Sequence, residues 1–181
     1  MNKALFVDRD GVLNQDTGYT YKISDLVILE GVIEGLKFFQ DQGYLIIIIT
    51  NQSGIARGFF TPKDLANFMN KMCEIFESNQ IYIRDYYFCP HHFSGSIKKY
   101  AQSCNCRKPN TGMIISAAKK YDIDLSKSVL IGDKESDILA GKNSGIFTNL
   151  LILDDFLPEG SQACATAKDL VQAASIIEKL N

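Results

Sequence analysis

Tyr44-Leu45-Ile46-Ile47-Ile48-Ile49 is the stretch that leaves this chain the fewest choices of fold. Its β-branched residues are continuous and not alternating, so the strand they form must be covered on both faces. Such a strand belongs inside a parallel sheet with helices packed on either side. The run stops at Thr50-Asn51-Gln52-Ser53-Gly54, a cluster of small hydrogen-bonding side chains. A second apolar run, Ala4-Leu5-Phe6-Val7, stops as abruptly at Asp8-Arg9-Asp10-Gly11. Two carboxylates one residue apart then lie at the carboxyl edge of the sheet, where open α/β sheets bind their ligands. They can hold a hard cation such as Mg2+, and one of them can attack an electrophile. An Asp-Gly turn closing an ordinary strand would use the same letters.

The rest of the chain alternates between helical and extended patterns. Gly31 to Gln42 has helical spacing at Val32, Ile33, Leu36, Phe38 and Phe39, with Gly43 as the stop. Thr61-Pro62-Lys63-Asp64 starts a helix running to about Ser78, with Leu65, Phe68, Met69, Met72, Ile75 and Phe76 facing inward. Asp85 to Phe88 reads as a third strand, Met113 to Tyr121 as a helix and Ser128 to Ile131 as a fourth strand. Gly132-Asp133-Lys134-Glu135-Ser136-Asp137 opens the next helix, Gly145 to Leu153 supplies a fifth strand, and Thr166 to Leu180 a closing helix. This rhythm predicts an α/β fold, a doubly wound, Rossmann-like parallel sheet in three layers. Residues 1–181 are expected to form a single domain, with no room between motifs for a separate cap domain.

A net charge of −2 argues against a general nucleic-acid surface, while a local basic pocket for a small anion remains compatible with it. No apolar run approaches the roughly 18 residues of a membrane span. Met1-Asn2-Lys3 leads straight into the first strand, so no signal peptide is expected and the compartment expected is the cytoplasm. There, five cysteines are metal ligands or buried thiols before they are disulfides. No apolar surplus calls for a protein partner, and a monomer is expected.

Three strand ends carry the residue types of phosphoryl chemistry: Asp8 and Asp10, then Thr50, Asn51 and Ser53, then Asp133 and Asp137. Arg107-Lys108 precedes the helix that begins near Thr111. Parallel strands point their carboxyl ends the same way, so these groups can converge on one crevice. Separately, Cys89-Pro90-His91 and Cys104-Asn105-Cys106 form two close-spaced pairs on an irregular loop. Four such ligands fit a tetrahedral Zn2+ site with no position left for water, hence a structural metal. His92 lies outside the C-x-H pattern, and Cys73 and Cys164 read as core residues.

The ordered motifs Asp8-x-Asp10-Gly11-Val12, Thr50-Asn51, Lys108 and Gly132-Asp133-x-x-x-Asp137 are similar to those of the haloacid dehalogenase-like phosphatases, over essentially the whole chain. The resemblance implies that Asp8 attacks phosphorus to form an aspartyl-phosphate. It implies that Asp10 protonates the leaving alkoxide and then takes a proton from the hydrolytic water. Asp8, the Asp10 carbonyl and Asp133 would hold Mg2+, and Thr50 and Lys108 would bind the transferring phosphoryl oxygens. A carboxylate is a poor nucleophile toward a phosphate dianion unless nearby cations cancel the repulsion, which is why Mg2+ and Lys108 are needed together.

The C-x-H…C-x-C loop looks like the branch holding the heptose bisphosphate and histidinol-phosphate phosphatases. The long Phe93–Ser103 insert, the Thr50–Gly58 stretch and Asp16-Thr17-Gly18-Tyr19 resemble the heptose group. On that resemblance Asp16, Thr17, Gly18, Tyr19, Asn51, Gln52 and Ser53 would contact a sugar bisphosphate. Arg107 and Lys134 would read it beyond the reacting phosphate. The implied reaction is removal of a 7-phosphate in the making of nucleotide-activated heptose for bacterial surface polysaccharide. The alternatives are histidinol phosphate as substrate, or a non-enzymatic phospho-receiver or zinc-stabilised interaction domain. A polynucleotide 3′-phosphatase is a more distant relative that gives no reason for the zinc loop.

Overall fold

A computed structural model describes residues 1–180 of the chain. Six strands form one parallel sheet: β1 Lys3–Val7, β2 Tyr44–Asn51, β3 Ile83–Cys89, β4 Val129–Gly132, β5 Thr148–Ile152 and β6 Ala165–Ala167. Their order is β3-β2-β1-β4-β5-β6. The order reverses between β1 and β4, and a crevice opens beyond their carboxyl ends because the following loops leave in opposite directions. That switch point lies over Asp8 and Asp133.

Both faces of the sheet are covered, as the isoleucine run requires. Leu5, Val7, Ile46 and Ile48 pack on one side with α1 Val32–Asp41, α3 Pro62–Ser78 and α6 Leu170–Leu180. Ala4, Phe6, Ile47 and Ile49 pack on the other with α4 Gly112–Tyr121 and α5 Glu135–Ser144. The three-layer expectation therefore holds. Thr61 caps α3 in a reciprocal capping box with Asp64, with Pro62 in the first turn. Of the residues expected on its inner face, Leu65, Phe68, Met69, Met72 and Phe76 are buried, and Ile75 is half-buried.

Two expectations are corrected and one element is added. The closing helix starts at Leu170, and Thr166 lies in β6, a three-residue edge strand on β5. A single helical turn, α2 Gly54–Arg57, follows the second strand end. Cys164 is exposed and Cys73 half-buried, so neither is a core residue. Cys164 precedes the edge strand β6, and its thiol donates to the carbonyl of Phe147.

Candidate active site

The segment after β1 folds back on itself. The amides of Val12, Leu13 and Asn14 all donate to the Arg9 carbonyl, and the Gly11 amide donates to Asn14. Gly11 takes φ +80°, and a Cβ there would lie 2.6 Å from Asp133 Oδ2, so only glycine lets the two strand ends approach. Asp8 and Asp10 are thereby presented side by side, Asp8 buried and Asp10 at 15% side-chain exposure.

Lys108 supplies the opposing charge. Its ammonium is buried, donating to Asp8 Oδ1 at 2.8 Å and to the Ile49 carbonyl at 2.9 Å, and it pairs with Asp137 Oδ1. The Lys108 backbone is clamped by Asn51, whose side chain accepts from its amide at 3.1 Å and donates to its carbonyl at 3.2 Å. Asn51 thus spends its hydrogen bonds on Lys108, a role that spacing alone did not suggest. Gln52 donates to Asp10 Oδ2 at 2.9 Å and to Thr50 Oγ1 at 2.7 Å.

These groups border a cavity of about 370 Å³. Every residue assigned to chemistry or substrate on sequence grounds lines it except Thr17 and Asp133. Thr17 turns away, its amide and hydroxyl both meeting Thr20 Oγ1 at 3.0 Å. Asp133 stands behind Asp8, within 4.8 Å of both Asp8 and Asp137. Ser136 and Asp137 also line the cavity. Tyr19 holds φ +56° and packs edge-on against Phe59 at 4.7 Å, and Asp16 accepts from the Gly18 amide at 2.9 Å. Lys134 reaches Asp133 at 3.0 Å and Asp16 at 3.8 Å, the rim of the same opening.

The electrostatics suit a cation. Burial raises the Asp8 carboxyl to about 6, outweighing the pull of Lys108, while Asp137 and Asp10 push it the same way. Burial and the Asp8 charge raise Asp133 to about 6 against the pull of Lys134. Asp133 Oδ1 is buried and has no hydrogen-bond partner among the described residues. Crowded, desolvated carboxylates with a free oxygen are the donor set that Mg2+ takes.

A second cluster lies beside the basic pair Arg107-Lys108 in the chain. Cys89, Cys104 and Cys106 hold their sulfurs 3.1 to 3.4 Å apart, and His91 Nδ1 lies 3.3 Å from Cys106 Sγ. Burial and the neighbouring Cys106 thiol push the Cys89 thiol well up, so the three sulfurs cannot be anionic together unless a cation sits among them. Three sulfurs and a ring nitrogen within 4.8 Å of one another satisfy the donor chemistry of Zn2+. His92 stays outside, its Nδ1 accepting from Ser94 and its Nε2 3.4 Å from Arg57. Cys106 is joined through Arg107 to Lys108, so the cluster anchors the basic pair. Arg9 and Asn14, which both donate to Asp10, were not singled out by sequence reasoning. A charged residue between two site carboxylates was the available signal.

The family model described as polynucleotide kinase 3 phosphatase matches residues 4–153. A D-glycero-alpha-D-manno-heptose-1,7-bisphosphate 7-phosphatase of Burkholderia mallei is 44% identical over 153 residues, 84% of this chain and 81% of that protein. A D-glycero-beta-D-manno-heptose-1,7-bisphosphate 7-phosphatase of Haemophilus influenzae is 39% identical over 152 residues, 84% of this chain and 82% of that protein. Among solved structures, a D,D-heptose 1,7-bisphosphate phosphatase from B. bronchiseptica, complexed with magnesium and phosphate, superposes with a TM-score of 0.82. It is 28% identical and covers 99% of both chains.

Proposed function

Because the chain belongs to the polynucleotide kinase 3 phosphatase family, among the haloacid dehalogenase-like phosphatases, we propose that it removes the 7-phosphate of D-glycero-D-manno-heptose 1,7-bisphosphate. The observation that carries the chemistry is the buried Asp8–Lys108 pair at 2.8 Å on the cavity floor. The relatives' substrate, at 39–44% identity over four-fifths of their length, supplies the sugar bisphosphate. A cavity of about 370 Å³ suits such a small molecule better than a nucleic-acid strand, which would need a basic track across the surface.

Asp8 forms the bond to phosphorus while Lys108 and Thr50 hold the phosphoryl oxygens. Asp10 gives its proton to the sugar oxygen as it departs, then takes one from the water that frees Asp8. Repulsion between Asp8 and the phosphate is cancelled when Mg2+ is bound by Asp8, Asp133 and the Asp10 carbonyl. Asp16, Gly18, Tyr19 and Ser53 border the substrate, and Arg107 and Lys134 face its second phosphate. Cys89, His91, Cys104 and Cys106 would hold a structural Zn2+. The enzyme works as a single domain and a monomer in the cytoplasm, supplying nucleotide-activated heptose; among the described residues no helix is long and apolar enough to cross a membrane.

The test is Mg2+-dependent phosphate release from both heptose bisphosphate anomers, histidinol phosphate and a 3′-phosphorylated oligonucleotide. A heptose bisphosphate should give the highest kcat/KM. Histidinol phosphate or the oligonucleotide winning would reassign the substrate, and no release from any of them would leave a phospho-receiver.

Two metal predictions follow from the site. Asp8 and Asp133, raised to about 6, are ionised at pH 7.5 and largely protonated at pH 5. A raised carboxyl binds its proton more tightly folded than unfolded, so its ionisation removes stability as pH rises through 6 in the metal-free protein. Mg2+ must displace those protons, and its apparent affinity should fall by up to about 100-fold per pH unit below 6. The rise in Tm given by saturating Mg2+ at pH 7.5 should nearly vanish at pH 5 when tested at the same concentration. For the second cluster, purified protein should carry about one zinc per chain. Cys106→Ser should lose it and melt several degrees lower, measured by metal analysis and calorimetry.

A further inference from the structure

Arg9 stands between the two carboxylates and does not line the cavity. Its side chain is fully buried, a rare place for a guanidinium. Nε donates to Asp10 Oδ1 at 3.0 Å, and Nη2 reaches both Asp10 oxygens and the Thr20 carbonyl at 2.7 Å. The ring of Phe68, on α3, covers the guanidinium face at 4.7 Å. Nη1 is buried and finds no hydrogen-bond partner among the described residues. What the fork does achieve is to hold one carboxylate by both oxygens, with Asn14 and Gln52 completing the grip at 3.1 and 2.9 Å.

We propose that Arg9 is a positioning residue, fixing the Asp10 carboxyl so that the same group serves both proton transfers at one phosphorus. This rests on the phosphatase reading above. In the first half-reaction an Asp8 oxygen bonds to phosphorus, the bond to the sugar oxygen breaks, and the Asp10 proton goes to that oxygen. In the second, a water oxygen bonds to phosphorus, the Asp8–phosphorus bond breaks, and the water's proton goes to Asp10, restoring both side chains. Arg9 does not line the cavity, so its loss should act on turnover and leave substrate binding alone.

A leaving group that departs without a proton separates the two halves. Arg9→Met and Arg9→Lys proteins, mixed rapidly with p-nitrophenyl phosphate and Mg2+, should release a burst of about one nitrophenolate per folded chain. Steady-state turnover should then fall about 10- to 100-fold with KM unchanged, because the second half-reaction needs Asp10 in place. A sugar phosphate should show the same slow turnover without a burst, and Arg9→Lys should fall between Arg9→Met and the wild type. Burst and turnover falling together with the folded fraction would make Arg9 merely structural, and unchanged turnover would also overturn the proposal. If Arg9→Met does not fold, Arg9→Lys carries the comparison. Asp8→Asn must abolish the burst; a burst that survives it sinks the Asp8 half-reactions and the Arg9 proposal with them, whereas unchanged turnover in the Arg9 variants sinks the Arg9 proposal alone.

Discussion

Asp8→Asn is expected to lower kcat by about 10^4-fold or more while leaving the melting temperature equal to or above that of the wild type. The two halves of that expectation come from the same surroundings. The amide cannot form the bond to phosphorus, so the covalent route closes completely. The carboxylate it replaces is one that burial already penalises, since its pKa is raised to about 6 despite Lys108 at 2.8 Å. Removing that charge relieves Asp133 and Asp137, which lie within 4.8 Å, and Lys108 keeps Asp137 and the Ile49 carbonyl as partners. Steady-state phosphate release together with a thermal melt at pH 7 checks both. Loss of activity with a large fall in Tm would mean that Asp8 is chiefly structural; near-normal turnover would remove it as nucleophile. Activity and stability are expected to part company here because the site was assembled for charge the fold alone does not need.

The parts legible in the sequence were those in which a local pattern and a global role coincide. The isoleucine run could only be a doubly covered strand, and Ile46 to Ile49 indeed divide between the two hydrophobic layers. The polar strand ends were legible because parallel strands share a direction, which the sheet order then turned into one crevice. The paired Cys and His spacing was legible because a tetrahedral metal site asks for such pairs, and the four side chains do converge. What escaped had no such signature. β6 is three small residues, Ala165–Ala167, defined only by the edge of β5 that it covers. α2 is a single turn, too short for helical periodicity to register. Thr17 was placed against substrate by its neighbourhood, yet its amide and hydroxyl turn to Thr20, while Asn51, which does line the cavity, spends its side-chain hydrogen bonds on Lys108. Side-chain direction in loops depends on partners remote in sequence, and for Asn51 the partner is 57 residues away.

Lys108→Met should be the most destabilising single change in the site as well as one of the most damaging to catalysis. Lys108 pairs with both Asp8 and Asp137, and all three side chains are at least nine-tenths buried. The surrounding carboxylates hold its ammonium above its ordinary range in spite of burial, so it is charged at any pH the fold meets. Methionine fills the same volume but leaves two carboxylates without a counter-charge, and breaking a buried pair from one side costs about 3–5 kcal/mol. For a chain of this size that is a fall in Tm of roughly 6–20 °C. Mg2+ should recover part of it, because the cation would stand near the same carboxylates. Activity should stay at least about 10^3-fold down even with Mg2+, since no ammonium faces the phosphoryl oxygens. The double variant Lys108→Met/Asp137→Asn separates the two roles. Neutralising Asp137 removes one of the stranded charges, so stability should return by a measurable part while turnover does not. If the double variant were as unstable as the single, the Lys108–Asp137 pair would not be what holds the lysine's surroundings together. If Lys108→Met turned over normally, the phosphate-binding role would pass to Thr50 and Arg107.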